Sequence, residues 1–134
     1  MSMKITLRYK GCNNDRGTQM VMDKFIHFLQ GQYPLNRDMV IEFLGKRNGE
    51  MTTGSRTSDS ILKILVRGRI IRDVLRTVAH EWVHEYQIGV QGKEKGPNIG
   101  GELEDEANAL SGKLVKMFER DFPHADKLNY DSFE

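Results

Sequence analysis

Two spacings of apolar residues divide the chain into predicted strands and helices. Alternation of apolar and polar residues is typical of a half-buried strand, and apolar residues three and four apart are typical of an amphipathic helix. Alternating or short apolar stretches predict three strands, at residues 4–9, 38–44 and 61–67. Helical spacing predicts three helices, at about 18–30, 70–88 and 102–120.

The order of these elements, β-α-β-β-α-α, predicts an α+β fold. A chain of 134 residues fits one domain, so we expect a single domain over residues 1–134, in which a small, mainly antiparallel or mixed sheet packs against helices. Residues 121–134 form a predicted polar tail. Residues 45–60 are polar and contain three glycines; we interpret them as a mobile surface loop, with a short hairpin or a lid over a substrate as alternatives.

The predicted helix at 70–88 carries the motif His80-Glu81-Trp82-Val83-His84. Residues four apart lie one turn apart on the same face, so both imidazoles can reach one metal ion at about 2.0–2.1 Å. Glu81 lies beside that face, where a carboxylate can act on a metal-activated water without being a ligand. The spacing therefore predicts a metal site in which His80 and His84 are ligands and Glu81 is the catalytic base.

The apolar residues of the same helix form one broad arc, and neither histidine belongs to it. At about 100° per residue, the arc contains Ile70, Ile71, Val74, Leu75, Val78, Ala79, Trp82, Val83 and Tyr86. We expect this arc to face the sheet and the histidines to face a cleft, together with Asp73 and Thr77.

A third ligand is expected, because catalytic zinc usually has three protein ligands and one open position. The candidates after His84 are Glu102, Glu104, Asp105, Glu106 and the distant His124. Acidic residues at the start of a helix also suit the positive end of its dipole, which can explain part of this cluster. The predicted buried stripe of the last helix is Leu103, Ala107, Leu110, Leu114 and Met117. Glu104 and Glu106 lie at its two edges, so spacing does not decide between them.

The sequence His80-Glu81-x-x-His84 followed by Glu104-Asp105-Glu106-Ala107-Asn108 resembles the gluzincin pattern HExxH…ExxA(D/N). It is most similar to minimal gluzincins, which include the ImmA/IrrE-like peptidases and small phage-encoded relatives. This resemblance implies a zincin-like fold, a Zn²⁺ cofactor, Glu104 as the third ligand and Asn108 as a partner that orients a ligand histidine. SprT-like metallopeptidases use a third histidine, and His124 is the alternative ligand of that kind.

Composition narrows the functional classes. Basic and acidic residues nearly cancel, with a formal net charge of +1, so we expect no nucleic-acid partner. We interpret the cluster Arg67, Arg69, Arg72 and Arg76 as a solvated helix shoulder. Cys12 is the single cysteine. The sequence shows no signal peptide and no membrane-spanning run, which predicts a soluble, cytoplasmic protein, and the resemblance suggests a phage or bacterial origin.

These observations predict a zinc-dependent endopeptidase that acts on a peptide or protein. The zincin-like resemblance implies that substrate adds to an edge strand beside the motif helix, for which residues 61–67 are the candidate, with 45–60 bordering the cleft. No oxyanion-stabilising residue is assigned: Tyr86 belongs to the apolar arc, and His124 and Tyr130 qualify by residue type alone. The alternative is a catalytically inactive zinc-binding regulatory or structural protein of the same fold.

Overall fold

Four strands and three α-helices form the part of the chain that the computed structural model describes, residues 4–12, 15–46, 54–56, 61–94 and 101–122. In chain order they are β1 (Ile5–Lys10), α1 (Arg16–Gln32), β2 (Met39–Leu44), β3 (Gly54–Arg56), β4 (Ile61–Leu65), α2 (Ile71–Glu85) and α3 (Glu102–Asp121). A π-helical turn, Tyr86–Val90, continues α2. None of these helices combines the length and the apolar character that crossing a membrane requires.

The strands form one mixed sheet in the order β1-β2-β4-β3. β2 is parallel to both β1 and β4, whereas β3 is antiparallel to β4. The predicted α+β class with a mixed sheet is confirmed. The prediction that residues 61–67 form an edge strand is wrong, because β3 covers the outer side of β4. β3 arises from the segment 45–60, so this part of the segment is a paired strand and not a mobile loop; the rest of it lies largely outside the described residues.

Helix α2 packs against the sheet through side chains of its predicted apolar arc, and α1 packs against α2. The start of α1 is fixed by Asp15, whose Oδ1 accepts a hydrogen bond of 2.6 Å from the backbone N–H of Thr18. Trp82 is fully buried, and its indole N–H donates to the backbone carbonyl of Tyr33 at 2.8 Å. This bond joins the last turn of α2 to the end of α1, which holds the motif helix against the core.

Helix α3 is rotated relative to its predicted orientation. Ala107 and Leu114 are buried as expected, but the other buried residues of α3 are Ser111, Val115 and Phe118, whereas the remaining stripe residues Leu103, Leu110 and Met117 are only half-buried. The physical reason is an aromatic cluster: the Phe118 ring lies 5.0 Å from that of Phe25 and 5.7 Å from that of Phe28 on α1. Burial of these large rings outweighs the smaller apolar side chains that the predicted stripe would have buried.

The end of the motif helix also differs from the prediction. The α-helix ends at Glu85, and the residues up to Val90 form a π-helical turn, which is common at functional sites. Tyr86, at the start of this turn, is half-buried and packs against the core, its ring 5.2 Å from that of Tyr33.

Candidate metal centre

Two histidines of α2 and one glutamate of α3 meet at one point between the helices. His84 Nε2 lies 3.1 Å from His80 Nε2 and 2.9 Å from Glu104 Oε2, and His80 Nε2 lies 3.1 Å from Glu104 Oε1. The three side chains are only partly exposed, at 17–27% of their surface. They are the one group of this kind found among the described residues that could hold a metal ion.

The tautomer of His84 is fixed by Gln87, which is fully buried. The Gln87 amide nitrogen donates to the carbonyl of Leu103 at 3.0 Å and to Glu106 Oε1 at 2.8 Å. Both partners only accept, so the amide oxygen must face His84 Nδ1, which lies 2.9 Å away. Nδ1 therefore carries the proton, and in the neutral ring Nε2 presents its lone pair to the centre.

His80 is favoured in its neutral form, which is the form that binds metals. Burial of the ring lowers the pKa of His80; the nearby Glu104 carboxylate opposes this shift, and the neighbouring His84 reinforces it. The Asn108 side chain forms a hydrogen bond with His80. Asn108 is thus in contact with a histidine of the group, where the resemblance to gluzincins implied an orienting partner.

The donor chemistry of this group fits a divalent metal ion. Four atoms face one another in this group: His84 Nε2 with its lone pair, His80 Nε2 and both carboxylate oxygens of Glu104. Two neutral imidazoles supply too few protons to turn all of these contacts into hydrogen bonds. Ligands at about 2.0–2.1 Å from a tetrahedral ion are roughly 3.3 Å apart, close to the observed 2.9–3.1 Å. Two imidazoles and one carboxylate form a ligand set typical of catalytic zinc.

Glu81 and the strand β3 lie beside the histidines. Glu81 lines the same cleft as His80 and Glu104, a cavity of about 340 Å³ whose floor is α2 and whose walls are β3 and α3. β3 approaches α2 closely at Gly54: a β-carbon there would lie 2.7 Å from Thr77 Cγ2 and 3.2 Å from Glu81 Cγ. A glycine at this position therefore lets the edge strand run directly over the candidate general base.

The other predicted candidates do not join the group, or lie outside the described residues. Glu106 bonds to Gln87 instead, and its carboxylate lies 3.9 Å from Lys93 Nζ. Glu102 is exposed in the first turn of α3, where it suits the helix dipole. His124 and Tyr130 lie outside the described part of the chain.

Gln87 is the residue that sequence reasoning missed. It lies three positions after His84, a spacing that brings side chains together along a helix, so a polar residue at this position was a usable signal. The signal was weak because Gln87 falls near the predicted end of the helix, where a polar residue is most simply explained by solvent exposure.

One solved structure has a similar fold, a crystal structure of a Wss1 mutant from Saccharomyces cerevisiae. The alignment has a TM-score of 0.56 and 11% sequence identity, and it covers 88% of this chain and 95% of that chain. At this identity the likeness concerns the fold alone. No family model matches the sequence, and no curated protein matches it at a significant level.

Proposed function

We propose that the protein is a zinc-dependent endopeptidase of the minimal gluzincin type, with His80, His84 and Glu104 as ligands and Glu81 as general base. The observation that carries this proposal is the convergence of the three ligand atoms within 4.8 Å of one another in a cleft that Glu81 also lines. Structural zinc sites are closed by four protein ligands and leave no position for a water. A carboxylate beside the ligands, such as Glu81, therefore favours a catalytic site over a structural one.

In this proposal each residue has one task. His80, His84 and Glu104 would hold a zinc ion, whose Lewis acidity would polarise the substrate carbonyl and make water more acidic. Glu81 takes a proton from the attacking water and delivers it to the leaving amine. Gln87 and Asn108 hold the two imidazoles in position, so that the nitrogen lone pairs stay directed at the centre.

The substrate is an extended peptide that adds to the edge strand β3. The sequence-based expectation of strand addition is retained, but the strand changes, because β4 is an interior strand. β3 borders the cleft at Gly54, above Glu81. Pairing with the main chain is tolerant of sequence, and it brings a peptide bond past Glu81 and the ligand histidines.

Zinc content and cleavage, measured on the same preparations, test this function. Elemental analysis should find about one zinc per chain in the wild type and in Glu81→Gln. Cleavage of a mixture of synthetic peptides, followed by mass spectrometry, should fall by about 100- to 10,000-fold in Glu81→Gln, because proton transfer contributes that much to catalysis.

Glu104→Ala should lose zinc, and Glu102→Ala is the matched control, since Glu102 is an exposed glutamate in the same helical turn. A wild type that binds no zinc offered at neutral pH would overturn the proposal. Zinc retained together with no cleavage by any variant would establish the alternative, an inactive zinc-binding protein.

A further inference from the structure

Two arginines one turn apart on α2 have different surroundings on α3. Arg72 forms an ion pair with Glu119. Arg76 lies instead beside Gly112: its Nη2 is 3.6 Å from where a β-carbon of that glycine would be. No described carboxylate forms an ion pair with Arg76, which is exposed and lines the cleft.

The other charges at this end of the cleft are already matched. Arg69, also expected on a solvated shoulder, is half-buried and donates to the carbonyls of Leu65 and Asp73 and to Thr77 Oγ1 at 2.5–3.0 Å. Its positive charge also interacts with the Asp73 carboxylate. The Ser111 hydroxyl donates to the Asn108 carbonyl. Of the two arginines at this end of the cleft, Arg76 is therefore the one whose guanidinium forms no hydrogen bond or ion pair with the described residues.

The distance from Arg76 to the metal group suits a subsite for a substrate side chain. Arg76 lies one turn before His80 on α2, roughly 6 Å along the helix axis, and Gly112 lies eight residues beyond Glu104 on α3, roughly 12 Å along its axis. An extended peptide advances about 3.3 Å per residue, so these two spacings correspond to about two to four residues from a peptide bond held at the metal group. A side chain of a peptide held at the metal group can therefore reach the Arg76 guanidinium, which lines the same cleft.

We infer that Arg76 binds an acidic side chain of the substrate, about two to four residues from the scissile bond. This inference rests on the proposed function and adds a substrate class to it, peptides with Asp or Glu at that distance. A planar guanidinium recognises a carboxylate through paired N–H donors. A partly enclosed cleft also strengthens such a pair relative to one in open solvent.

Binding to zinc-loaded Glu81→Gln tests the inference without cleavage. Two labelled synthetic peptides of one sequence, carrying either Glu or Gln at every third position, are compared by fluorescence anisotropy. We expect the Glu peptide to bind about tenfold more tightly, the effect of one charged hydrogen bond. Adding Arg76→Gln should abolish this preference, and Arg76→Glu should transfer it to a peptide with Lys at those positions.

The control is Lys116→Gln, which removes one positive charge from an exposed position of α3 and should keep the preference. Equal binding of the two peptides, weak or strong, or a preference that survives Arg76→Gln, would overturn the inference. If the preference for the Glu peptide depends on Arg76 but the wild type cleaves no peptide, the acidic subsite is supported and the peptidase function is contradicted. If the wild type cleaves peptides but binds the Glu and Gln peptides equally, the peptidase function is supported and the acidic subsite is contradicted.

Discussion

Consecutive residues of α2, His84 and Glu85, belong to two polar clusters that differ in completeness. Glu85 is 1% exposed, and its Oε1 accepts a hydrogen bond of 2.8 Å from Arg37 Nε. This cluster is closed, because the protein itself supplies the charge that the buried carboxylate needs. Arg37 and Glu85 thus form a structural pair that joins α2 to the segment before β2.

Among the described residues, no cationic side chain pairs with the cluster around His84 in this way. His84 Nε2 and the Glu104 carboxylate direct lone pairs at a point that His80 Nε2 also faces, and Gln87 holds the proton of His84 on the far side of the ring. Burial and polarity are therefore shared by both clusters and do not distinguish them. The deficit of protons and positive charge is what would allow the second cluster to hold a cation.

The first way to test this comparison is to break the closed pair. Arg37→Ala leaves Glu85 buried without its guanidinium, and we expect a loss of about 2–3 kcal/mol in the free energy of unfolding. This is less than the roughly 3–5 kcal/mol of fully buried pairs, because Arg37 is partly exposed. Chemical denaturation of the metal-free protein measures this loss. Zinc content per folded chain should not change.

The control for Arg37→Ala is the double variant with Glu85→Gln, which removes the buried charge and should recover part of the stability. Loss of zinc from folded Arg37→Ala protein would contradict the independence of the Arg37–Glu85 pair from the cluster around His84.

The second test weakens the open cluster without removing a ligand. Gln87→Leu no longer fixes the proton of His84 on Nδ1, so zinc affinity should fall by about 10- to 100-fold, the usual effect of losing an orienting partner. A competition assay with a chelating dye measures the affinity. Gln91→Leu, at an exposed glutamine just beyond the π-helical turn, is the matched control. Equal affinities in the two variants would contradict the role of Gln87.

The smallest expected effect concerns pH. Because the pKa of His80 in the folded protein is lowered from its usual 6.5, the folded metal-free protein binds fewer protons at this site than the unfolded chain. This contribution to stability is complete above about pH 6.5 and is lost as the pH falls below it. His80→Gln should remove that part of the pH dependence, less than about 1 kcal/mol. His27→Gln, at an exposed histidine of α1, should not.

Features that depend on the spacing of nearby residues could be predicted from the sequence, whereas features that depend on contacts between distant segments could not. The helix that bears His80 and His84 follows from apolar periodicity, and its buried arc is confirmed from Ile71 to Val83. The choice of Glu104 over Glu106 came from resemblance, and the geometry brings Glu104 to the histidines. Strand β3 spans three residues, too few for a periodic signal. The rotation of α3 depends on contacts of Phe118 with a distant helix, which no local pattern contains.

The order of the ligands along the chain has a consequence for the newly made protein. His80 and His84 precede Glu104, which lies on the last helix that the structure describes, so synthesis from the N-terminus produces the histidine pair first. A nascent chain that has reached α2 offers an ion two imidazoles and no carboxylate from α3. For the metal site proposed above, firm retention would wait until α3 docks, and metal occupancy would then report that α2 and α3 have assembled.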